Sequence, residues 1–225
     1  MQICEIYPGF DGEVNSFGQG TPTIFVRLQG CNLRCNWCDT PYAQELKDDP
    51  EMSLHSVLRE ITAIPGIKKV TITGGEPLLQ TEQLSILIQQ LFNYSYRITV
   101  ETNGSIPWDS FNFWWNVDSW IIDYKLPSSG ENHSMVPLDK YVMRAKQADF
   151  IKFVVADRED FTGAFRVQKT LVERECKARF AYSAMTEGVS HQTLAKWLLD
   201  SPEILERAVL NVQLHKLLWD HERRR

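Results

Sequence analysis

Short runs of β-branched and aromatic residues recur along the chain, separated by segments with apolar positions at helical spacing. The runs cover 21–27, 69–72, 97–100, 120–123, 150–155, 179–182 and 208–212. Runs of this length, bounded by turn residues, predict seven strands. Between them, Leu84, Leu87, Ile88 and Leu91 share one helical face behind Thr81, which the spacing places as a cap. Ser190 opens a further helix carrying Leu194, Trp197 and Leu198. Such alternation implies right-handed crossovers and a mostly parallel α/β sheet, either open and doubly wound or an incomplete TIM-like barrel. In both, ligands gather at the carboxyl ends of the strands.

Polar residues collect at those ends. The first run is followed by Cys31-Asn-Leu-Arg-Cys35-Asn-Trp-Cys38 and the second by Thr73-Gly74-Gly75-Glu76-Pro77. The third ends in Glu101-Thr102-Asn103-Gly104, the fourth in Asp123-Tyr124-Lys125, the sixth in Ser183-Ala184-Met185 and the seventh in Gln213-Leu214-His215-Lys216. Residues 105–118, with Trp108, Trp114 and Trp115, read as an aromatic connection that serves packing. Neither repeat nor linker interrupts the pattern, so one domain over 1–225 is expected.

Composition narrows the function. The 225 residues are 43% hydrophobic and 24% charged, enough for one sizeable core. A net charge of −5 gives no global basic field, so no nucleic-acid partner is expected. The start, Met1-Gln2-Ile3-Cys4-Glu5, lacks the basic and apolar pattern of a secretion signal, and no apolar stretch approaches the roughly 20 residues that span a bilayer. A cytoplasmic protein without a membrane partner is therefore expected. Three of the five cysteines fall within eight residues, which suits a metal site in a reducing compartment better than disulfides. Cys4 and Cys176 read as small apolar fillers.

Thiolates at steps of four and three residues on one loop can converge on three corners of a cubane, leaving one iron open. An open iron can take the amino and carboxylate groups of S-adenosylmethionine. Structural zinc wants four closed ligands, and the next histidine, His55, is seventeen residues beyond Cys38. A plain electron-transfer cluster is the other competitor. Neither has a use for Gly74-Gly75-Glu76-Pro77, where two glycines permit close backbone approach to a ligand and a carboxylate follows. One strand-helix unit after the cysteine loop, this turn is expected to bind the cofactor's ammonium.

With these motifs the chain resembles the radical S-adenosylmethionine superfamily, and within it the 7-carboxy-7-deazaguanine synthase family. The resemblance covers most of the length and is carried by TPTIFVRLQGCNLRCNWCDT at 21–40, TITGGEP at 71–77, ETNG at 101–104, DYKLPSSG at 123–130 and QLHKLLW at 213–219. The last two segments point to this family in particular. The resemblance implies an incomplete TIM-like (β/α)6 barrel holding a [4Fe-4S] cluster on Cys31, Cys35 and Cys38 that cleaves S-adenosylmethionine to a 5'-deoxyadenosyl radical. The implied reaction converts 6-carboxytetrahydropterin to 7-carboxy-7-deazaguanine by hydrogen abstraction, ring contraction and loss of ammonia, with S-adenosylmethionine regenerated. It further implies Mg2+, a flavodoxin- or ferredoxin-type reductant and a homodimer.

Residue roles follow from the same resemblance. Arg27 would meet the substrate carboxylate, Glu13 would accept from the pterin edge, and Phe10, Asp11, Gly12, Thr73, Gln213 and His215 would complete the substrate site. Thr40 would ligate Mg2+. Trp37, Cys38 and Asp39 would line the adenine, with Tyr182, Ser183, Ala184 and Met185 near it. Gly74, Gly75 and Glu76 would take the methionine amino group, Asp123, Tyr124 and Lys125 would lie near the ribose or carboxylate, and Glu101 and Asn103 would be further cofactor contacts.

The chain departs from the family at Asp11-Gly12-Glu13-Val14, where many members have Gln-Gly-Glu-Gly, and two extra residues separate Glu13 from Pro22. It also ends in a basic run, Asp220-His221-Glu222-Arg223-Arg224-Arg225, which reads as a solvated end. A rival within the superfamily is an activase that abstracts hydrogen from a glycine of a glycyl radical enzyme or of anaerobic ribonucleotide reductase. That rival has no reason for Arg27, Thr40 and QLHK to surround a carboxylated heterocycle.

Overall fold

The computed structural model describes residues 1–46, 51–107, 111 and 113–219. One eight-stranded sheet runs in chain order: β1 Ile3–Phe10, β2 Pro22–Leu28, β3 Lys69–Gly74, β4 Arg97–Thr102, β5 Ser119–Asp123, β6 Phe150–Val155, β7 Arg179–Ala184 and β8 Ala208–Asn211. β1 is antiparallel to β2, and each later neighbouring pair is parallel. The helices are α1 Leu54–Ala63, α2 Thr81–Asn93, α3 Leu138–Arg144, α4 Arg158–Glu173, α5 His191–Leu199, α6 Pro202–Leu205 and α7 Leu214–Trp219.

All seven expected strands form, and β1 is added to them. Glu5 and Pro8 break its apolar alternation, which hid it. Proline is tolerated there because β1 is an edge strand. Glu5 is buried because Arg27 faces it across the β1–β2 pair at 2.8 Å. The helix starts follow side-chain capping: Ser53 accepts from Ser56, Asp157 from Asp160 and Ser190 from Thr193. Thr81 differs from the expectation. It is the first residue of α2, its hydroxyl donates to the Leu78 carbonyl at 2.5 Å, and the turn Pro77–Gln80 leads into it.

Alternate strand residues serve two cores. Ile24, Val26 and Leu28 on β2, Ile72 on β3, Val100 on β4 and Ile151 and Phe153 on β6 are buried on the helix side. They meet Val57 and Ile61 of α1, Leu84, Leu87 and Leu91 of α2 and Phe161 and Leu171 of α4 in one continuous core. Full burial contributes about 1.5–3 kcal/mol for each such side chain. Trp114 joins this core, stacked on Trp120 at 4.2 Å, while Trp115 is 68% exposed. Trp108 and the basic run at 220–225 lie outside the described residues. Cys176 is buried in the same core, as its filler reading expects.

β1 and β8 do not pair, and segment 11–21 fills the seam between them. Gln19 Nε2 donates to the Gly12 carbonyl at 2.7 Å and to Asn211 Oδ1 at 3.1 Å, and the Leu214 amide donates to the Gly12 carbonyl at 3.3 Å. Val14 packs inside on Ile121, Phe150 and Ala181. The sheet is thus an incomplete TIM-like barrel of seven parallel strands plus one antiparallel edge. Among the described residues, no helix is long and apolar enough to cross a membrane.

Candidate active site

The loop after β2 carries the three clustered cysteines and is held from three sides. The Cys31 amide donates to the Gln44 carbonyl at 2.9 Å, and the Asn36 amide to the Ser129 carbonyl at 3.0 Å. Asn36 Nδ2 donates to the Ser128 carbonyl at 3.0 Å, and the Arg34 amide to Glu131 Oε1 at 2.6 Å. Asn103, at the end of β4, donates to Cys31 Sγ at 3.7 Å and to Asn32 Oδ1 at 3.0 Å. All three thiols are half-buried and free of disulfides. Burial pushes Cys35 up to about 11 while Lys125 acts in the opposite direction.

The turn after β3 locks against this loop. The Gly75 amide donates to the Leu28 carbonyl at 3.1 Å and the Glu76 amide to the Gly30 carbonyl at 2.7 Å. A Cβ on Gly75 would collide with the Gly30 carbonyl, and one on Gly74 with the Leu28 carbonyl. The glycines therefore let two backbone segments close on each other, a use the sequence reading had given to a ligand. Glu76 is fully buried, with Oε1 accepting from the Leu78 amide at 2.9 Å and the Thr102 hydroxyl at 2.8 Å and Oε2 from the Asn103 amide at 2.6 Å. Burial pushes its carboxyl up to about 7 against those three donors. Those three bonds use three of the roughly four acceptor sites of a carboxylate.

Inside the barrel the strands present a polar row. Arg27 on β2 gives Nε to Glu5 at 2.8 Å and Nη2 to the Tyr7 hydroxyl at 3.4 Å. Thr73 on β3 donates to Glu101 on β4 at 2.8 Å. Asp123 on β5 accepts from Lys125 at 3.1 Å and from Lys152 on β6 at 3.2 Å. Lys152 also meets Glu13 Oε1 at 3.2 Å. Glu13 is completed by Gln213 at 3.1 Å and by Asn211 on β8 at 2.5 Å. Burial alone would raise Asp123, yet Lys125 and Lys152 hold it below the usual carboxylate range. Burial and the neighbouring Asp11 and Glu13 push Glu101 up to about 7.

Glu13, Arg27, Thr73, Glu101, Asp123, Lys125, Ser183 and Gln213 are therefore set along one interior row, with Cys31, Cys35, Cys38, Trp37, Asp39 and Thr40 on the loop above β2. Six expected contacts fall elsewhere. Phe10 is 46% exposed at the end of β1 beside Pro22, at the opposite end of β2 from the cysteines. Asp11 is buried against Lys69 at 2.5 Å and Thr71 at 2.9 Å, so it anchors segment 11–21. Gly12 spends its carbonyl on the seam. Tyr182 faces the helices, donating to Gln168 at 2.7 Å, and Ala184 is buried in that same outer core. The Tyr124 ring also lies on the helix side, against Tyr141 and Phe153. Met185 is half-buried just past the end of β7. His215 falls in α7, and its side chain lies outside the described atoms.

Sequence reading missed Glu5, Lys152 and Asn211. Glu5 and Lys152 are polar residues inside largely apolar strands and Asn211 is the polar last residue of β8, and that was the available signal. The donor set fits a [4Fe-4S] cluster with S-adenosylmethionine. Three unbridged, half-buried thiols share one loop. Among the described residues, Asp11 Oδ1, Trp37 Nε1, Thr99 Oγ1 and Asp123 Oδ1 are buried polar atoms without a protein partner; of these, Trp37 is on the cysteine loop and Asp123 pairs with Lys125, whose ammonium lies over the Trp37 ring at 5.4 Å. Thr40 stands at the cap position of the turn Pro41–Ala43 without capping it; its hydroxyl lies 3.9 Å from Cys38 Sγ.

The profile of the radical SAM superfamily matches residues 25–121, from β2 through the cysteine loop to β5. The chain is thus a radical S-adenosylmethionine enzyme, a class whose members use a [4Fe-4S] cluster and S-adenosylmethionine. It is 31% identical to the 7-carboxy-7-deazaguanine synthase of Clostridium acetobutylicum over 99% of this chain and 98% of the relative. It is also 35% identical to that of Koribacter versatilis over 99% and 98%. The chain belongs to the 7-carboxy-7-deazaguanine synthase family. The crystal structure of QueE from Escherichia coli shares the fold, with a TM-score of 0.69 at 23% identity, covering 94% of this chain and 92% of that one.

Proposed function

We propose that this enzyme converts 6-carboxytetrahydropterin to 7-carboxy-7-deazaguanine with loss of ammonia, within queuosine and other deazapurine biosynthesis. The observation that carries the reading is the interior row, in which the Arg27 guanidinium on β2 and the Glu13 carboxylate, held by Lys152 and Asn211, lie on the inner side of the sheet whose β2 end carries the cysteine loop. The substrate offers the complementary groups: a carboxylate, and a flat ring edge rich in N–H donors. Arg27 has five N–H donors, and Glu5 and Tyr7 occupy two of them, which orients the remainder for a carboxylate. Glu13, held by Lys152, Asn211 and Gln213, accepts from the ring edge.

Cys31, Cys35 and Cys38 would hold the cluster, with the remaining acceptor site of Glu76 for the cofactor's ammonium and Asp123 Oδ1 for its ribose. When bound, cluster and cofactor together supply the hydrogen-abstracting chemistry. The Thr40 hydroxyl, unused by its own turn, suits Mg2+ shared with the substrate carboxylate. A flavodoxin- or ferredoxin-type reductant, a homodimer, a cytoplasmic setting and a single domain over 1–225 complete the proposal. The activase alternative has no feature here in its favour.

The test is anaerobic incubation of reconstituted protein with 6-carboxytetrahydropterin, S-adenosylmethionine and reductant, with and without Mg2+, read by mass spectrometry. The expected outcome is 7-carboxy-7-deazaguanine, formed faster with Mg2+. Cofactor cleavage with the pterin untouched would refute the reaction.

A further inference from the structure

We propose that Lys152 is a positioning residue that holds Glu13 and Asp123 as a pair, so that substrate and cofactor are oriented together inside the barrel. This deepens the proposed reaction and rests on it. Lys152 stands at the middle of β6, in the run Phe150-Ile-Lys152-Phe-Val-Val155, and is only 8% exposed. Its ammonium reaches two carboxylates from two different elements: Glu13 Oε1 on segment 11–21 and Asp123 Oδ2 on β5, each at 3.2 Å. Burial would favour the neutral amine, but Asp123, Glu13, Glu101 and Asp39 together keep it protonated.

A cation at this position is a poor choice for stability alone. Desolvating a buried ion pair offsets most of its attraction, and an apolar side chain of similar volume commonly serves the fold as well or better. The rest of β6 is apolar and buried, so the strand itself does not call for a lysine. What the ammonium does accomplish is visible in the acceptors it leaves. On Glu13, Lys152 and Gln213 share Oε1 while Asn211 takes Oε2, which uses three of about four acceptor sites. On Asp123, both lysines lie on Oδ2, and Oδ1 stays buried without a partner. One ammonium thus fixes an oxygen of each carboxylate and leaves each with capacity for a ligand donor.

Without that ammonium, Glu13 and Asp123 share the interior with Glu101, and Lys125 is the other lysine paired with Asp123. Like charges would turn away from one another, and the two ligands would lose their alignment. Transfer of a hydrogen atom between two bound molecules depends steeply on that alignment.

The experiment compares Lys152→Met, Lys152→Arg, Glu13→Gln and the double variant Glu13→Gln/Lys152→Met with the wild type, all reconstituted anaerobically. Lys152→Met should keep its iron content and circular dichroism. Its affinity for 6-carboxytetrahydropterin, measured by calorimetry, should fall about 30-fold or more. The 5'-deoxyadenosine released per product should rise at least about tenfold, and Lys152→Arg should recover part of this coupling. The double variant should bind substrate within about twofold of Glu13→Gln alone, because Lys152 acts through that carboxylate. This comparison also decides the matter if Lys152→Met does not fold, since the double variant removes a charge of each sign. Unchanged affinity and coupling in Lys152→Met, or fully additive losses in the double variant, would overturn the proposal. A wild type that binds no pterin would overturn the proposed reaction itself, before any variant is read.

Discussion

Strand β6 carries Ile151, Phe153 and Val155 toward the helices and Lys152 toward Glu13 and Asp123, so one strand contributes to two regions held by different forces. The helix-side region is cohesive through area removed from water, and each side chain there has many interchangeable neighbours. The interior region is held by named pairs: Arg27 with Glu5, Lys152 with Glu13 and Asp123, Thr73 with Glu101. Such pairs are close to neutral for stability when intact and costly when one partner is removed. The lesson is that the outer side determines whether the chain folds, whereas the inner side determines what it can hold.

The comparison breaks most visibly at its extremes. Cys35→Ala should abolish cofactor cleavage and the visible absorption of the cluster while changing the urea unfolding free energy of cluster-free protein by less than about 1 kcal/mol. Trp120→Ala, which empties the stack with Trp114 at the centre of the outer core, should do the reverse. It should cost about 3–5 kcal/mol in urea unfolding and leave the substrate affinity of the folded fraction unchanged. A Trp120→Ala protein with wild-type stability and lost affinity would merge the two regions into one.

Buried carboxylates sharpen the contrast through pH. Burial pushes Asp149, which accepts from the Trp120 and Lys146 amides, up to about 6 from 3.8, while the two lysines beside Asp123 bring it below its ordinary value. The signs are opposite. The folded state keeps the Asp149 proton longer than the unfolded chain does, so its contribution is present below about pH 4 and lost as pH rises through about 6. Asp123 contributes above about pH 4, and that stability is lost on acidification. Asp149→Asn should therefore flatten a decline between pH 4 and 6 worth at most about 3 kcal/mol, from roughly two pKa units at about 1.4 kcal/mol each. Asp123→Asn should leave that decline intact and reduce the loss below pH 4. Urea midpoints across the range read both.

A smaller effect is expected at Glu76, where the two regions meet. Its carboxylate braces the turn after β3 against the end of β4, so Glu76→Gln sets an amide donor against one of three N–H or O–H donors. The cost should be about 1–3 kcal/mol in cluster-free protein. A separate loss of cofactor affinity should appear in the cluster's EPR signal on titration with S-adenosylmethionine. Unchanged stability would mean that the three bonds contribute nothing to the fold.

The strands of the outer core were legible because burial on that side writes a plain apolar pattern, and the cysteine and Gly-Gly-Glu-Pro loops were legible because their spacing has few other uses. Less visible was whatever depends on a partner distant in sequence. β1 was hidden because Glu5 is explained by Arg27 and Tyr42, 22 and 37 residues away. Lys152 was passed over because its partner Glu13 lies 139 residues off. The expectation for Asp11 rests on its place in the loop Asp11-Gly12-Glu13, and its anchor Lys69, 58 residues further on, is not visible from that loop. Tyr182 and Ala184 differ for another reason: the period of two turns their side chains to the face opposite Ser183, so the side chains of a contiguous run at a strand end cannot all face one ligand.

The central claim is that the polar interior places a carboxylated pterin against the rim that carries the cluster. It is tested most directly with 6-carboxytetrahydropterin deuterated at C6, the carbon bearing the carboxylate, in an anaerobic incubation with S-adenosylmethionine, reductant and Mg2+. The prediction is that deuterium leaves the pterin and appears in the recovered S-adenosylmethionine as 7-carboxy-7-deazaguanine accumulates. Product formed with no deuterium in the recovered cofactor, or cofactor cleavage with no label transferred, would contradict the account.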